Sequence, residues 1–319
     1  MNQMTFMSWY QAARKVRIDP VTGNVQLNGG SGMYAITGIT GQVGGVVAQT
    51  LLAQGKAVRA VVRSEQKGAP WAARGCDVAL AEMHDADALR RAFEGADGVF
   101  VLLPPVFDPS PDFSESRRNI AALREALSAA EPSRVVVLST IGAQAQLPNL
   151  LNQLGIMEQE LRTLPMPAVF LRAAWFFENS AWDVEPARST GLIPAFLQPL
   201  DKPFPMVATA DIGRVAAQLL QEVWAGVRIV ELEGPRRVTP DEIAAAFADA
   251  LGRDVRMQVV PRAEWESLFR SQGMKNPLPR MEMIDGFNEG WIEFEAGSSA
   301  LRGRVSLEVV VRGMVESAR

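Results

Sequence analysis

The sequence holds one cysteine, Cys76, and one histidine, His84. An intrachain disulfide is therefore impossible, and no metal site with the usual count of His and Cys ligands can be assembled. A carboxylate-only site would need a loop of acidic ligands, and none is visible, so no metal is expected. Excess positive charge is lacking too: 32 Lys and Arg stand against 36 Asp and Glu, a formal net charge of -4. With no local basic run to compensate, direct binding to a nucleic-acid backbone is excluded. The longest apolar stretch, Gly98 to Phe107, is interrupted by Pro104 and Pro105. It is far too short to span a bilayer. No basic segment leads into an apolar one at the N-terminus, so the start does not read as a secretory signal. The composition fits a reducing compartment, and the expected location is the cytoplasm.

What is present is a regular alternation. From Met33, short β-rich runs (Tyr34–Thr37, Ala57–Arg63, Asp77–Ala81, Gly98–Leu103, Arg134–Ser139, Ala168–Ala173) alternate with helical stretches such as Gln42–Gln54, Ala86–Phe93 and Ser114–Ala130. That order predicts an α/β fold with a doubly wound parallel sheet of the Rossmann kind. Five prolines between Ala174 and Val207 break the pattern, which predicts loop with short elements there. The pattern resumes with a helix near Asp211–Trp224 and a strand near Arg228–Glu233. Thr239-Pro240-Asp241-Glu242 then reads as a capping box opening a helix through Leu251. A strand at Val255–Val260 and helices near Ala263–Ser271 and Arg280–Glu289 complete the chain. The expected organisation is a cofactor domain over 33–173 and 208–233, with a smaller C-terminal α/β substrate lobe over 174–207 and 234–319.

The first 32 residues read as a leader. Asp19 to Asn24 has turn composition, and Asn28-Gly29-Gly30-Ser31-Gly32 is composed like a flexible linker. Met33 is the expected natural start, with an added or flexible segment ahead of it; a natural arm is the alternative.

Between the first strand and first helix lies Gly38-Ile39-Thr40-Gly41-Gln42-Val43-Gly44. Gly38 permits a tight turn, Gly41 admits a pyrophosphate to the backbone, and Gly44 lets helix and sheet pack closely. The amides of Gln42 and Val43 then face the phosphates. The second strand selects the nucleotide. It ends at Arg63, with Lys67 close behind, where an NAD site carries Asp or Glu. A guanidinium suits a 2′-phosphate, so NADPH is favoured over NADH. Glu82 and Met83, at the third strand's end, lie where an adenine belongs: the carboxylate as acceptor, Met83 against the ring. Asp85 reads as a helix cap and Cys76 as a small buried hydrophobe.

A Tyr with a Lys four residues later is a common proton-donating pair in dehydrogenases of this architecture. Here the only tyrosines are Tyr10 and Tyr34, and no Lys occurs between Lys67 and Lys202. Carbonyl reduction by that pair is excluded. Ser139, at the fifth strand's end with Thr140, is placed to face a nicotinamide, and catalysis and backbone capping are equally open to it.

These residues together resemble the NmrA-like branch of the atypical short-chain dehydrogenases. The resemblance runs from Met33 to about Arg319. It rests on the glycine turn with Thr37, Leu102-Leu103-Pro104-Pro105, Leu138 to Gln144, Leu171 to Asn179 and Gly286-Phe287-Asn288-Glu289-Gly290. It implies a small lobe closing over bound NADPH, with the Arg63–Lys67 stretch meeting the 2′-phosphate. Leu103, Pro104 and Pro105 would lie along the cofactor, and Trp175 to Asn179 would surround the nicotinamide. Trp175, Phe176 and Asn179 become pocket candidates, with aromatic core packing and a helix cap at Asn179 as the competing reading. Many such proteins carry a Lys near the position of Leu154, which this chain lacks, and that argues against isoflavone-reductase-like chemistry.

The resemblance implies two functions. One is reduction of a small aromatic acceptor, a quinone or azo compound, in a pocket lined by Trp175, Phe176 and Phe177, with Met274, Met281 and Met283 available from the second lobe. The other is a non-enzymatic redox sensor that binds a protein partner according to nicotinamide state. A homodimer is compatible with either. If the leader is separate from the fold, deleting Met1 to Gly32 leaves the melting temperature and NADPH affinity nearly unchanged; a large drop in Tm on thermal unfolding would show that the arm packs on the domain.

Overall fold

The computed structural model describes residues 16–18, 25–27, 32–295 and 297–318. Two short strands, β1 (Val16–Ile18) and β2 (Val25–Leu27), pair antiparallel with each other. The turn and linker expected at 19–24 and 28–31 lie outside the described residues.

The main sheet is built from β3 (Met33–Ile36), β4 (Ala57–Val62), β5 (Asp77–Leu80), β6 (Gly98–Leu102), β7 (Val135–Thr140) and β8 (Ala168–Ala173). Between these run α1 (Gln42–Ala53), α2 (Glu65–Ala72), α3 (Ala86–Phe93), α4 (Ser114–Ala130) and α5 (Asn152–Leu161). Two further strands extend the sheet, β12 (Val227–Glu233) and β14 (Leu301–Arg302). The order is β14-β12-β8-β7-β6-β3-β4-β5, parallel at every pairing. Strands β5 to β8 thus reproduce the doubly wound order, with the chain reversing direction across the sheet between β3 and β6.

Alternation along the strands sorts side chains into two layers. Ile36, Val58, Ala60, Val136, Leu138, Val169 and Leu171 face one core, shared with α1 and α7 (Thr209–Leu219). Ala35, Val61, Val135, Val137 and Phe170 face the other, shared with α3, α4 and α5. Central strands covered on both sides need near-continuous apolar runs, and β8 is buried at all six positions.

The C-terminal lobe uses short elements. β9 (Trp175–Phe176) pairs with β11 (Met206–Val207), and β10 (Leu192–Ala195) with β13 (Arg256–Val259). A 3-10 helix (Phe177–Asp183) precedes α6 (Val184–Ser189). α8 (Pro240–Leu251) opens with the expected capping box on Thr239 and Glu242. α9 (Trp265–Ser271), α10 (Leu278–Glu289) and α11 (Leu307–Ser317) follow. Phe196 joins Trp265 and Phe269 at centroid distances of 5.8 and 5.2 Å.

Three features depart from the sequence reading. α7 ends at Leu219 rather than Trp224, because the chain turns through Gly226 at φ 71° to enter β12. α2 occupies a stretch to which the sequence reading assigned no element, with Pro70 inside it. Leu301–Arg302, read as part of the second lobe, adds an eighth strand to the main sheet. Buried Asp211 fixes that last crossing: its Oδ2 accepts from Arg304 N at 2.7 Å and Val305 N at 2.8 Å, and Oδ1 pairs with Arg214 at 2.8 Å. Among the described residues no helix is long and apolar enough to cross a membrane. Asp211→Ala would strip two main-chain N–H groups of their acceptor, an expected cost of about 2–3 kcal/mol; urea unfolding that shows no loss would refute this anchoring.

Candidate cofactor and acceptor cleft

Because the strands are parallel, every residue that follows a strand's C-terminal end lies along one edge of the sheet. The glycine turn follows β3, Arg63 follows β4, Glu82 and Met83 follow β5, and Leu103 to Pro105 follow β6. Ser139 and Thr140 end β7, and Trp175 to Asn179 follow β8. The topology therefore gathers all the expected site residues at this edge, around the β3/β6 reversal where α/β folds bind ligands.

The turn's geometry is set by Thr37. Its buried hydroxyl donates to Phe100 O at 3.1 Å and accepts from Leu102 N at 2.9 Å, stitching β3 to β6 one residue beyond their ladder. Gly38 then takes φ 61° against Leu102, and Gly41 N donates to Gly38 O at 2.9 Å. A Cβ on Gly44 would run into the Gly38 carbonyl, so α1 can meet the turn this closely only with glycine there. A Cβ on Gly41 would meet only Gly38 O, at 3.3 Å, and Thr40, Gly41 and Gln42 are exposed. No side chain caps α1, and its first turn carries no acid. Ser64, Asp85 and Thr239 cap α2, α3 and α8, whereas the remaining α-helices, like α1, have no side-chain bond from the N-cap residue. The start of α1 thus keeps its N–H donors and positive dipole end open to an anion.

Arg63 and Lys67 are exposed, and among the described residues neither makes an ion pair. Ser64 holds the local chain by accepting from Lys67 N at 3.4 Å. Glu82 is exposed, while Met83 is half-buried against the core shared by α3, α4 and α5. Asp85 caps α3 through Ala88 N at 2.9 Å, as read. Cys76 is buried, which pushes its thiol pKa up. Leu103 is buried, whereas Pro104 and Pro105 are exposed at the rim.

Ser139 resolves toward structure. It is 4% exposed, and its hydroxyl donates to Glu158 Oε1 at 2.5 Å. Glu158 on α5 is in turn bound by Arg172 Nε at 2.9 Å and Nη2 at 2.8 Å. Ser139, Arg172 and Glu231 sit side by side across β7, β8 and β12. Arg172 Nη1 lies 3.7 Å from Glu231 and pairs with Glu295 on the segment before β14. Burial opposes the Arg172 charge, but Glu158 and Glu295 outweigh it and hold the guanidinium pKa above its ordinary value. Glu158 was not anticipated, because a buried Glu paired with a strand Arg leaves no local pattern.

Trp175 is half-buried, edge-on to Phe287 at 5.1 Å and 79°. Phe176 is half-buried and Phe177 is 1% exposed, in the core. Asn179 is exposed within the 3-10 helix and caps nothing. Capping falls to its neighbour Glu178, which accepts from Thr209 N at 2.9 Å and Thr209 Oγ1 at 2.6 Å at the start of α7. Met281 and Met283 belong to the core, and Met274 is half-buried. Burial raises Asp183 to about 7, against the pull of a hydrogen bond from Ser180. Among the described residues no cluster of three His, Cys, Asp or Glu could hold a metal.

The chain leading into α10 is pinned to this edge. Asp108 accepts from Lys275 N at 2.9 Å and Asn276 N at 2.7 Å, bonds that hold its carboxyl below the usual range. Leu150 N donates to Pro279 O at 2.8 Å.

Comparison with known proteins agrees with this geometry. The model of the NmrA-like family matches residues 32–300. A NAD(P)H azoreductase of Xenophilus azovorans is 28% identical over 259 residues, covering 81% of this chain and 85% of its own. Quinone oxidoreductase 2 of Escherichia coli is 26% identical over 257 residues, covering 78% and 85%. The crystal structure of an Escherichia coli NADPH-dependent quinone oxidoreductase complexed with NADPH superposes with a TM-score of 0.75 at 23% identity, covering 88% of this chain and 99% of that one.

Removing Arg172 would leave Glu158 and Glu231 buried without their cation. Arg172→Met is expected to cost about 3–5 kcal/mol in urea unfolding; a change below about 1 kcal/mol would show that the row is not a structural lock.

Proposed function

The chain belongs to the NmrA-like family, and from that premise we propose that it is an NADPH-dependent reductase of a small aromatic acceptor such as a quinone or an azo compound. The observation that carries the reading is the pairing of an uncapped α1 N-terminus with two unpaired cations, Arg63 and Lys67, on one sheet edge. The residues fit the dinucleotide. Gly38, Thr40, Gly41, Gln42, Val43 and Gly44 would receive the pyrophosphate on backbone N–H groups. Arg63 and Lys67 would bind the 2′-phosphate, which favours NADPH over NADH. Glu82 and Met83 would flank the adenine, and Leu103, Pro104 and Pro105 would line the path to the nicotinamide. Trp175, Phe176 and Asn179 would face the acceptor.

When bound, NADPH supplies a hydride. The protein's share would be placement: residues on the β6 and β8 extensions would hold the two planar partners against each other. No general acid is required for an acceptor whose reduced anion takes its proton from water, in keeping with the missing Tyr–Lys pair and the engaged Ser139 hydroxyl. The same two facts favour a second reading, a redox sensor that uses the cofactor without turning it over.

The deciding experiment is NADPH oxidation with a panel of quinones and azo compounds, corrected for the uncatalysed rate. The expected result is turnover in the parent chain, a loss of kcat far exceeding the loss of NADPH affinity in Phe176→Ala and Asn179→Ala, and a reversed or abolished NADPH preference in Arg63→Asp. Parent activity at background across the panel would leave the sensor reading. Equal affinity of the parent chain for NADPH and NADH would remove the 2′-phosphate role of Arg63.

A further inference from the structure

Several arginines of the second lobe are paired with carboxylates: Arg237 with Glu233 and Glu293, Arg262 with Asp285, Arg270 with Glu266. Arg280 on α10 is not. It is half-buried, with Cζ 4.5 Å from the Phe269 centroid and Nη1 3.8 Å from Met274 Sδ. Among the described residues no carboxylate reaches its guanidinium, and burial alone acts on its charge, drawing its pKa below the ordinary arginine value. A guanidinium carries five N–H donors, and a thioether with an aromatic face satisfies few of them. Leaving a desolvated cation without a counter-ion is unfavourable, so an apolar side chain would serve the lobe's stability better.

Position gives this residue a use. Arg280 directly follows Pro279, whose carbonyl accepts from Leu150 N on the loop after β7. A few residues earlier, Lys275 and Asn276 are held by Asp108 on the loop after β6. That carboxylate is spent on two backbone N–H groups rather than on Arg280. The same three segments expose large apolar side chains: Phe107 at 63%, Leu147 at 53% and Leu278 at 56%. Exposed apolar residues on loops that main-chain bonds tie together mark a contact surface. Beside them stands one unpaired, partly desolvated guanidinium, a donor fork suited to a planar or tetrahedral oxyanion.

We infer that Arg280 is the specificity-determining residue of the acceptor end of this cleft, and that the acceptor is an aromatic compound carrying a fixed anionic group, a sulfonate or a carboxylate. The word acceptor rests on the reductase reading; the recognition of an aromatic anion does not.

The test separates the two. Binding of naphthalene-2-sulfonate and of neutral 2-naphthol is measured by calorimetry on the full chain, with and without saturating NADP+, for the parent, Arg280→Met and Arg280→Gln. The parent is expected to bind the sulfonate at least tenfold more tightly than the naphthol. Both substitutions remove that difference by weakening the sulfonate about tenfold or more, leave the naphthol within twofold, and do not lower the melting temperature. Equal binding of the two probes by the parent, no binding of either, or a parallel loss for both on substitution would overturn the inference. Kinetics with a neutral naphthoquinone and its sulfonated counterpart then distinguish the readings. Discrimination in binding without turnover of either compound ends the reductase reading and leaves the anion site standing. Turnover of both with the same KM, unchanged in Arg280→Met, ends the anion site and leaves the reductase.

Discussion

The architecture hangs on one buried cation. Arg172 stands in the middle of the sheet between Ser139 and Glu231, with Glu158 above it on α5 and Glu295 on the segment before β14. An arginine with 3% of its side chain exposed can be kept charged only if its carboxylates are as well placed as the bidentate Glu158 pair. That requirement fixes the register of β7, β8 and β12, the rotation of α5 and the course of the chain into β14 in a single constellation. It also engages the Ser139 hydroxyl, one of the strand-end hydroxyls that could otherwise have served a bound nucleotide.

The cofactor edge is built on the opposite principle. There the donors are left unused: α1 has no cap where α2, α3 and α8 have one, and Arg63 and Lys67 have no counter-ions among the described residues. With a net charge of -4 over the whole chain, such unpaired positive groups are a local excess against an acidic background. Stability within the sheet comes from satisfying charge, and readiness for an anion at its edge comes from leaving charge unsatisfied.

Much of this was legible in the residues. Parallel strands covered on both faces read as apolar runs, so β3 to β8 were placed within a residue or so of their observed ends, and β8 without error. The capping box at Thr239 was equally plain, because its signal is local. What escaped was non-local. β14 is two residues long and exists because Glu233 accepts from Gly303 N while Asp211 gathers the next two amides. Arg172 lies in a strand that was correctly anticipated, yet its pairing with Glu158 spans a helix and two strands. Asn179 misled because an Asn before a helix reads as a cap, whereas the 3-10 helix had already begun at Phe177 and Glu178 does the capping.

The distribution of engaged and idle groups also narrows what chemistry the cleft can support. The Ser139 hydroxyl is committed to Glu158 and the Glu178 carboxylate to α7. Tyr34 is buried in β3, where desolvation raises its pKa and removes it further from proton transfer. Of the groups along the edge, Arg63, Lys67 and the amides at the start of α1 bind and orient anions rather than donate protons at neutral pH. An edge so furnished suits a reaction whose barrier is lowered by alignment of two planar partners. Quinones and azo compounds meet that condition, which is the chemical reason the acceptor is sought among aromatics.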